Sequence, residues 1–100
     1  MLNDFKELDP LLHSQLRLSI VSLLVGVKEA EFTFVKEKTG ATSGNVSVQV
    51  SKLEEAGYIK VKKEFKNNYP CTTLSISQKG VRAFEQYVNN LKSYILVKKL

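Results

Sequence analysis

Apolar residues along this chain switch between two spacings, and the switches divide it into elements. Leu12, Leu16, Ile20, Leu23, Leu24 and Val27 recur three or four apart, which predicts a helix with one wide apolar face. Asp9-Pro10 supplies its start, Asp as the capping oxygen and Pro at the first helical position, and Gly26 stands near its end. Arg17, Ser19 and Ser22 interrupt the apolar run. Glu31-Phe32-Thr33 is long enough only for a short strand, and Thr33 can cap a brief helix from Phe34 to Lys38. That helix stops at Thr39-Gly40, where glycine supplies a left-handed end. Thr42 then caps a helix over 43–56 that Gly57 ends. Its β-branched residues are mediocre helix formers, but Val46, Val50, Leu53 and Gly57 fall on one side.

The period then changes to two. Tyr58 to Phe65 alternates apolar with charged residues, as a half-buried strand does. Lys66-Asn67-Asn68-Tyr69-Pro70 reads as a turn by composition. Cys71 to Ile76 alternates again, with Thr72, Leu74 and Ile76 on one face. Ser77 can cap a long last helix in which Val81, Phe84, Val88, Leu91 and Ile95 return to helical spacing. The fold class is therefore mainly α with a small β-hairpin (α+β), in the order helix–strand–helix–helix–hairpin–long C-terminal helix. Two helices joined by a tight turn make a helix-turn-helix, and a basic hairpin directly after them makes its winged form. The expected organisation is a single domain over 1–100, with an N-terminal arm at 1–8 and a C-terminal helix at 78–98.

One hundred residues, 43% hydrophobic and 25% charged, suit one small core, and nine aromatics argue against disorder. Cys71 is the only cysteine and His13 the only histidine, which excludes a disulfide framework and leaves too few ligands for structural zinc. Met1 to Asp9 lacks the basic start and apolar run of a signal peptide, and Leu16 to Val27 is too short and too interrupted to span a bilayer. A reducing, cytoplasmic compartment is expected. The net charge of +5 is uneven: residues 1–40 hold five basic against six acidic residues, and residues 41–100 hold ten against four. This surplus points to an anionic partner, with double-stranded DNA the first candidate.

With Val46, Val50 and Leu53 buried, Asn45, Val48, Gln49 and Lys52 share the opposite face of the 43–56 helix. Asn and Gln can bond an adenine edge, an exposed Val can meet a thymine methyl, and Lys can reach guanine or phosphate. Thr42, Ser43, Gly44 and the first-turn amides can take a phosphate, and no acidic residue occurs from Thr39 to Leu53. The hairpin over 60–70 carries Lys60, Lys62, Lys63 and Lys66, with Asn67 and Asn68 at its tip. Tyr69 is read as part of that tip as well. The hairpin suits the DNA backbone or the minor groove, although lysines also guard exposed strand edges.

The runs Thr42-Ser43-Gly44-Asn45-Val46-Ser47, Lys52-Leu53-Glu54-Glu55-Ala56-Gly57-Tyr58-Ile59, Pro70-Cys71-Thr72-Thr73 and Leu74-Ser75-Ile76-Ser77-Gln78-Lys79-Gly80 closely resemble small winged-helix transcriptional regulators related to the MarR and ArsR families. Leu12-His13-Ser14-Gln15-Leu16-Arg17-Leu18-Ser19-Ile20 also resembles their first core helix, so the likeness covers about residues 9 to 96. It implies a homodimer on a pseudo-palindromic operator, usually repressing. Paired recognition helices would then enter major grooves about one helical turn apart. It also implies dimer contacts from the terminal segments, with Leu2, Phe5, Leu8, Phe84, Tyr87, Val88, Leu91, Tyr94 and Ile95 as candidates. The metal-sensing relatives' cysteine and histidine clusters are missing, so neither metal nor cofactor is expected. The short dimerisation region leaves little room for the effector pocket of larger MarR-type proteins.

Two other classes compete. A winged-helix protein–protein module would not need so basic a hairpin. An enzyme would need a nucleophile or carboxylate pair near His13, a phosphate loop or a metal motif, and none occurs in the sequence.

Overall fold

The computed structural model describes residues 4–95, so Leu2 and residues 96–98 of the expected last helix lie outside it. The elements follow the expected order: α1 (Gln15–Val27), β1 (Glu29–Glu31), α2 (Phe32–Thr39), α3 (Ser43–Glu55), β2 (Ile59–Lys66), β3 (Tyr69–Ile76) and α4 (Gln78–Ile95). The short strand does not stand alone. It pairs antiparallel with β3, Ala30 opposite Leu74, and completes a three-stranded sheet in the order β1-β3-β2. The architecture is a winged helix: helices α1 to α3 pack on one side of the hairpin and α4 closes over α1.

One core joins these pieces. Leu12, Ile20, Val21, Leu24, Val35, Val46, Val50, Leu53, Ile59, Leu74 and Tyr87 are buried in a single cluster. Both helix periods thus point their apolar stripes inward, as do the alternate residues Ile59 and Leu74 of the hairpin.

Four boundaries differ from expectation. The short strand lies at Glu29–Glu31 rather than Glu31–Thr33, because Phe32 and Thr33 already belong to α2. The first helix begins at Gln15, not at Pro10, because Asp9 is engaged elsewhere. Its Oδ1 accepts from the Leu11 amide at 2.9 Å, its carbonyl from the His13 amide at 2.8 Å, and its Oδ2 from the Tyr58 hydroxyl. These bonds make a separate turn that buries Leu12 and leaves His13 ahead of the helix, where Nδ1 hydrogen-bonds the Tyr87 hydroxyl at 3.0 Å. Burial, then the hydrogen bond to Asp9, pushes the Tyr58 hydroxyl up to about 12. The second helix begins at Phe32, with Glu31 at its cap position, so Thr33 lies inside it. The hairpin turn is also tighter than the five-residue stretch read from composition. Only Asn67 and Asn68 form it, at φ 53° and 67°, a left-handed pair that asparagine tolerates, and Tyr69 and Pro70 already belong to β3.

Other local signals act where expected. Gly40 ends α2 at φ 71°, and the Thr42 hydroxyl accepts from the Asn45 amide at 3.2 Å to open α3. Ser77 Oγ accepts from the Gly80 amide at 2.9 Å and shares its one hydrogen between the Gly57 and Tyr58 carbonyls, at 2.6 and 2.9 Å. A single serine thereby caps α4 and ties it to the base of the hairpin.

Candidate nucleic-acid interface

Helix α3 stands on the surface with one face in the core and the other open. Val46, Val50 and Leu53 fill the inner face, and Thr42, Ser43, Gly44, Asn45, Val48 and Lys52 are exposed on or near the outer one. Val48 is 52% exposed, a β-branched apolar side chain left open to solvent. Gly44 has nothing within 4 Å of where a Cβ would project. Its lack of a side chain serves no internal packing and leaves the backbone of the first turn approachable. That turn carries no acidic residue, so its free amides and the positive end of the helix dipole face solvent unopposed.

Gln49, read from sequence as a free base-reading side chain, is half-buried and already bonded. Arg17 Nη1 on α1 donates to its Oε1 at 2.6 Å, and its Nε2 donates to Asn45 Oδ1 at 3.0 Å. Arg17 is itself anchored by Nε donating to the Leu11 carbonyl at 2.6 Å. The sequence signal for this residue was present: Arg17 is the one charge inside the apolar run of the first helix.

The hairpin divides its charge between two faces. Ladder pairing puts Lys63 opposite Thr72 and Val61 opposite Leu74, on the side that carries the core. Lys63 therefore borders the cleft against α3, with Ser47, Ser51 and Glu54 across from it. Strand alternation sends Lys60, Lys62 and Lys66 to the reverse face. Lys62 is 75% exposed and its Nζ lies 3.9 Å from Glu64 Oε2, so part of its charge is already answered. The exposed Phe65 and Tyr69 flank the tip formed by Asn67 and Asn68.

The dimer candidates separate into two groups. Leu8, Phe84 and Leu91 pack partly against the core, and Tyr87 is only 5% exposed. Tyr87 is thus occupied within the protomer rather than offered to a partner, because the turn at His13 meets its hydroxyl. Phe5 stacks at 5.1 Å on Tyr94 of the same chain, and Lys6 and Glu7 hydrogen-bond Ser93, Tyr94 and Asn90. The described part of the arm therefore lies along α4. Val88 and Ile95 stay exposed, at 40% and 69%.

Cys71 donates its thiol to Glu31 Oε1 at 2.8 Å. That bond, with the adjoining carboxylate, raises its pKa, the opposite of what a reactive thiolate requires. Among the described residues no group of three or more metal-ligating side chains converges, and no helix is long and apolar enough to cross a membrane.

Comparison with known proteins agrees with this geometry. An uncharacterised protein of Methanocaldococcus jannaschii is 37% identical over 76 residues, which cover 76% of this chain and 83% of the relative. The structure of a transcriptional regulator homologue from Pyrococcus horikoshii superposes with a TM-score of 0.80 at 26% identity, covering 85% of this chain and 84% of that one. The transcriptional regulator BldR from Sulfolobus solfataricus shares the fold, with a TM-score of 0.70 at 18% identity over 82% of this chain and 58% of its own. A mutant of MarR from E. coli also shares the fold, with a TM-score of 0.67 at 9% identity over 76% of this chain and 55% of its own. The profile of the family described as winged helix DNA-binding domain matches residues 16–95, and with α3 and the hairpin disposed as above the chain belongs to that family.

Proposed function

We propose that this DNA-binding regulator is a homodimeric repressor that recognises a pseudo-palindromic operator. Helix α3 enters the major groove and the hairpin rests on the flanking backbone or in the minor groove. The observation that carries the reading is the outer face of α3. It is exposed, free of acidic residues through its first turns, and furnished with Asn45, Val48, Gln49 and Lys52 at groove-facing positions. Thr42, Ser43 and the amide beside Gly44 bind a phosphate at the helix N-terminus. Lys63 binds a second phosphate from the α3 side of the hairpin, and Lys62, Lys66, Asn67 and Asn68 follow the backbone beyond it.

The dimer reading rests on α4. Val81, Val88 and Ile95 are seven residues apart, a spacing that keeps one seam facing a partner helix, and Val88 and Ile95 are exposed in the protomer. Phe5, Leu8, Phe84, Leu91 and Tyr94 brace that helix from within. Two copies joined along α4 would present two α3 helices to successive turns of one duplex.

Selection of bound duplexes from a random pool tests this directly. The enriched sequences should contain two inverted half-sites about one helical turn apart. Enrichment of no sequence, or of a single unrepeated site bound by one protomer, would overturn the homodimeric operator reading.

A further inference from the structure

We infer that Arg17, on α1 rather than on α3, is a specificity-determining residue that sets which hydrogen-bond pattern α3 shows to the bases. The inference rests on the reading of α3 as the base-contacting helix.

A guanidinium carries donors only. Whatever faces Arg17 Nη1 across 2.6 Å must therefore be the carbonyl oxygen of Gln49, never its amide nitrogen. That choice forces the next one. With Oε1 turned to Arg17, Nε2 is the atom 3.0 Å from Asn45, and a donor there requires Asn45 to answer with Oδ1. The Asn45 amide nitrogen is then left pointing outward with both hydrogens free. One residue on a different helix thus fixes the direction of two carboxamides, either of which could otherwise turn over at almost no cost. Arg17 is held for the task by its second bond, Nε to the Leu11 carbonyl at 2.6 Å, in the turn that Asp9 builds.

The pattern left for DNA is definite. Gln49 keeps one N–H and one lone pair, the complement of adenine N7 and N6. Asn45 offers two donors, which suit an acceptor edge such as guanine N7 and O6 or thymine O4. Without Arg17 both side chains would show two patterns, and the wrong one would accept the wrong base.

The experiment compares wild type with Arg17→Met, Arg17→Lys, Gln49→Ala and the Arg17→Met/Gln49→Ala double variant. Each is titrated with the duplex enriched by the wild-type protein and with a scrambled duplex, over a range of salt. Arg17→Lys keeps the charge, but one ammonium cannot serve both the Leu11 and Gln49 oxygens in that geometry. Both Arg17 variants should lose about tenfold in preference for the selected duplex, the scale of one side chain that must be re-immobilised on binding. Scrambled-duplex affinity and salt slope should stay as in wild type. Gln49→Ala should lose at least as much, and the double variant no more than Gln49→Ala alone. In the free protein, the side-chain amide resonances of Gln49 should move to the positions of an exposed glutamine in Arg17→Met.

Preference retained in both Arg17 variants but lost in Gln49→Ala would overturn the inference and leave the DNA-reading assignment of α3 intact. Equal weakening on both duplexes, with a salt slope smaller by about one, would make Arg17 a phosphate contact and also overturn it. A wild-type protein without preference would instead overturn the reading of α3 itself. Should Arg17→Met not fold, Arg17→Lys decides the matter, by its duplex preference and by the same shift of its Gln49 side-chain amide resonances.

Discussion

Glycine-to-alanine substitution should have opposite effects at two helix starts in this protein. At Gly80, in the first turn of α4, an added Cβ would overlap the Tyr58 carbonyl oxygen and lie 2.8 Å from Ile76 Cδ1. The oxygen cannot retreat cheaply, because it accepts from the Ser77 amide at 3.1 Å, and the Ser77 hydroxyl shares its one hydrogen between this carbonyl at 2.9 Å and that of Gly57 at 2.6 Å. Forcing a methyl into such a contact costs roughly 1–3 kcal/mol, and losing one of the two hydrogen bonds adds about 1 kcal/mol. Removing a helical glycine returns about 1 kcal/mol, so Gly80→Ala should destabilise by about 2 kcal/mol. For a chain of this length that lowers Tm by about 8–16 °C. At Gly44, in the first turn of α3, nothing lies within 4 Å of the new Cβ. Gly44→Ala should therefore gain up to about 1 kcal/mol and raise Tm, while its methyl holds the helix N-terminus off a phosphate and weakens DNA binding. Thermal and urea unfolding of both variants, with unchanged urea dependence, is the assay. A Gly80→Ala protein as stable as wild type would refute the close approach of α4 to the hairpin base. A Gly44→Ala protein that is less stable would refute the account of Gly44 as open to solvent.

Three further outcomes follow from particular contacts. Lys63→Ala should weaken binding to all duplexes and reduce the salt slope by about one, whereas Lys62→Ala, whose charge Glu64 already meets, should do less in the same titration. Because the Tyr58 proton is held to about pH 12 against 10 in the unfolded chain, its contribution is intact below pH 10 and lost as pH rises through 12. Urea midpoints between those values should fall more steeply for wild type than for Tyr58→Phe. Lys28 closes α1 at φ 73°, a strained region for an L-residue, so Lys28→Gly should raise stability by roughly 0.5–1 kcal/mol in thermal unfolding.

Features that depend on near neighbours were legible in the sequence. Thr42 caps α3, Gly40 ends α2 and Ser77 caps α4, all through bonds spanning a few residues, and the alternation of Ile59 to Ile76 gives the hairpin its inner face by pairing chain neighbours across one tight turn. Asp9-Pro10 misled because the decision was made 49 residues away: the Tyr58 hydroxyl takes one carboxylate oxygen, and the resulting turn delays α1 to Gln15. The hairpin turn was overestimated because five turn-forming residues occur where two suffice. Pro70 is accommodated in β3 because β1 pairs only as far as Thr73, leaving that stretch with β2 alone beside it. In the candidate site, the outer face of α3 was readable from its helical period, but the bonded state of Gln49 was not. That state comes from Arg17, which pattern alone marks only as an intruder in an apolar run. Tyr87 is a similar case, since helical spacing does not announce that a histidine from the first turn will meet its hydroxyl and that the side chain will be buried in the protomer.

The most direct test of the central claim is the ratio of affinities for the selected duplex and a scrambled one, measured as salt is raised. The account predicts a ratio on the order of 10³ or more at physiological salt, with both affinities falling linearly in log–log form. A ratio near one across the salt range would contradict it, because a helix that positions Asn45, Val48, Gln49 and Lys52 for base edges would then be reading none of them.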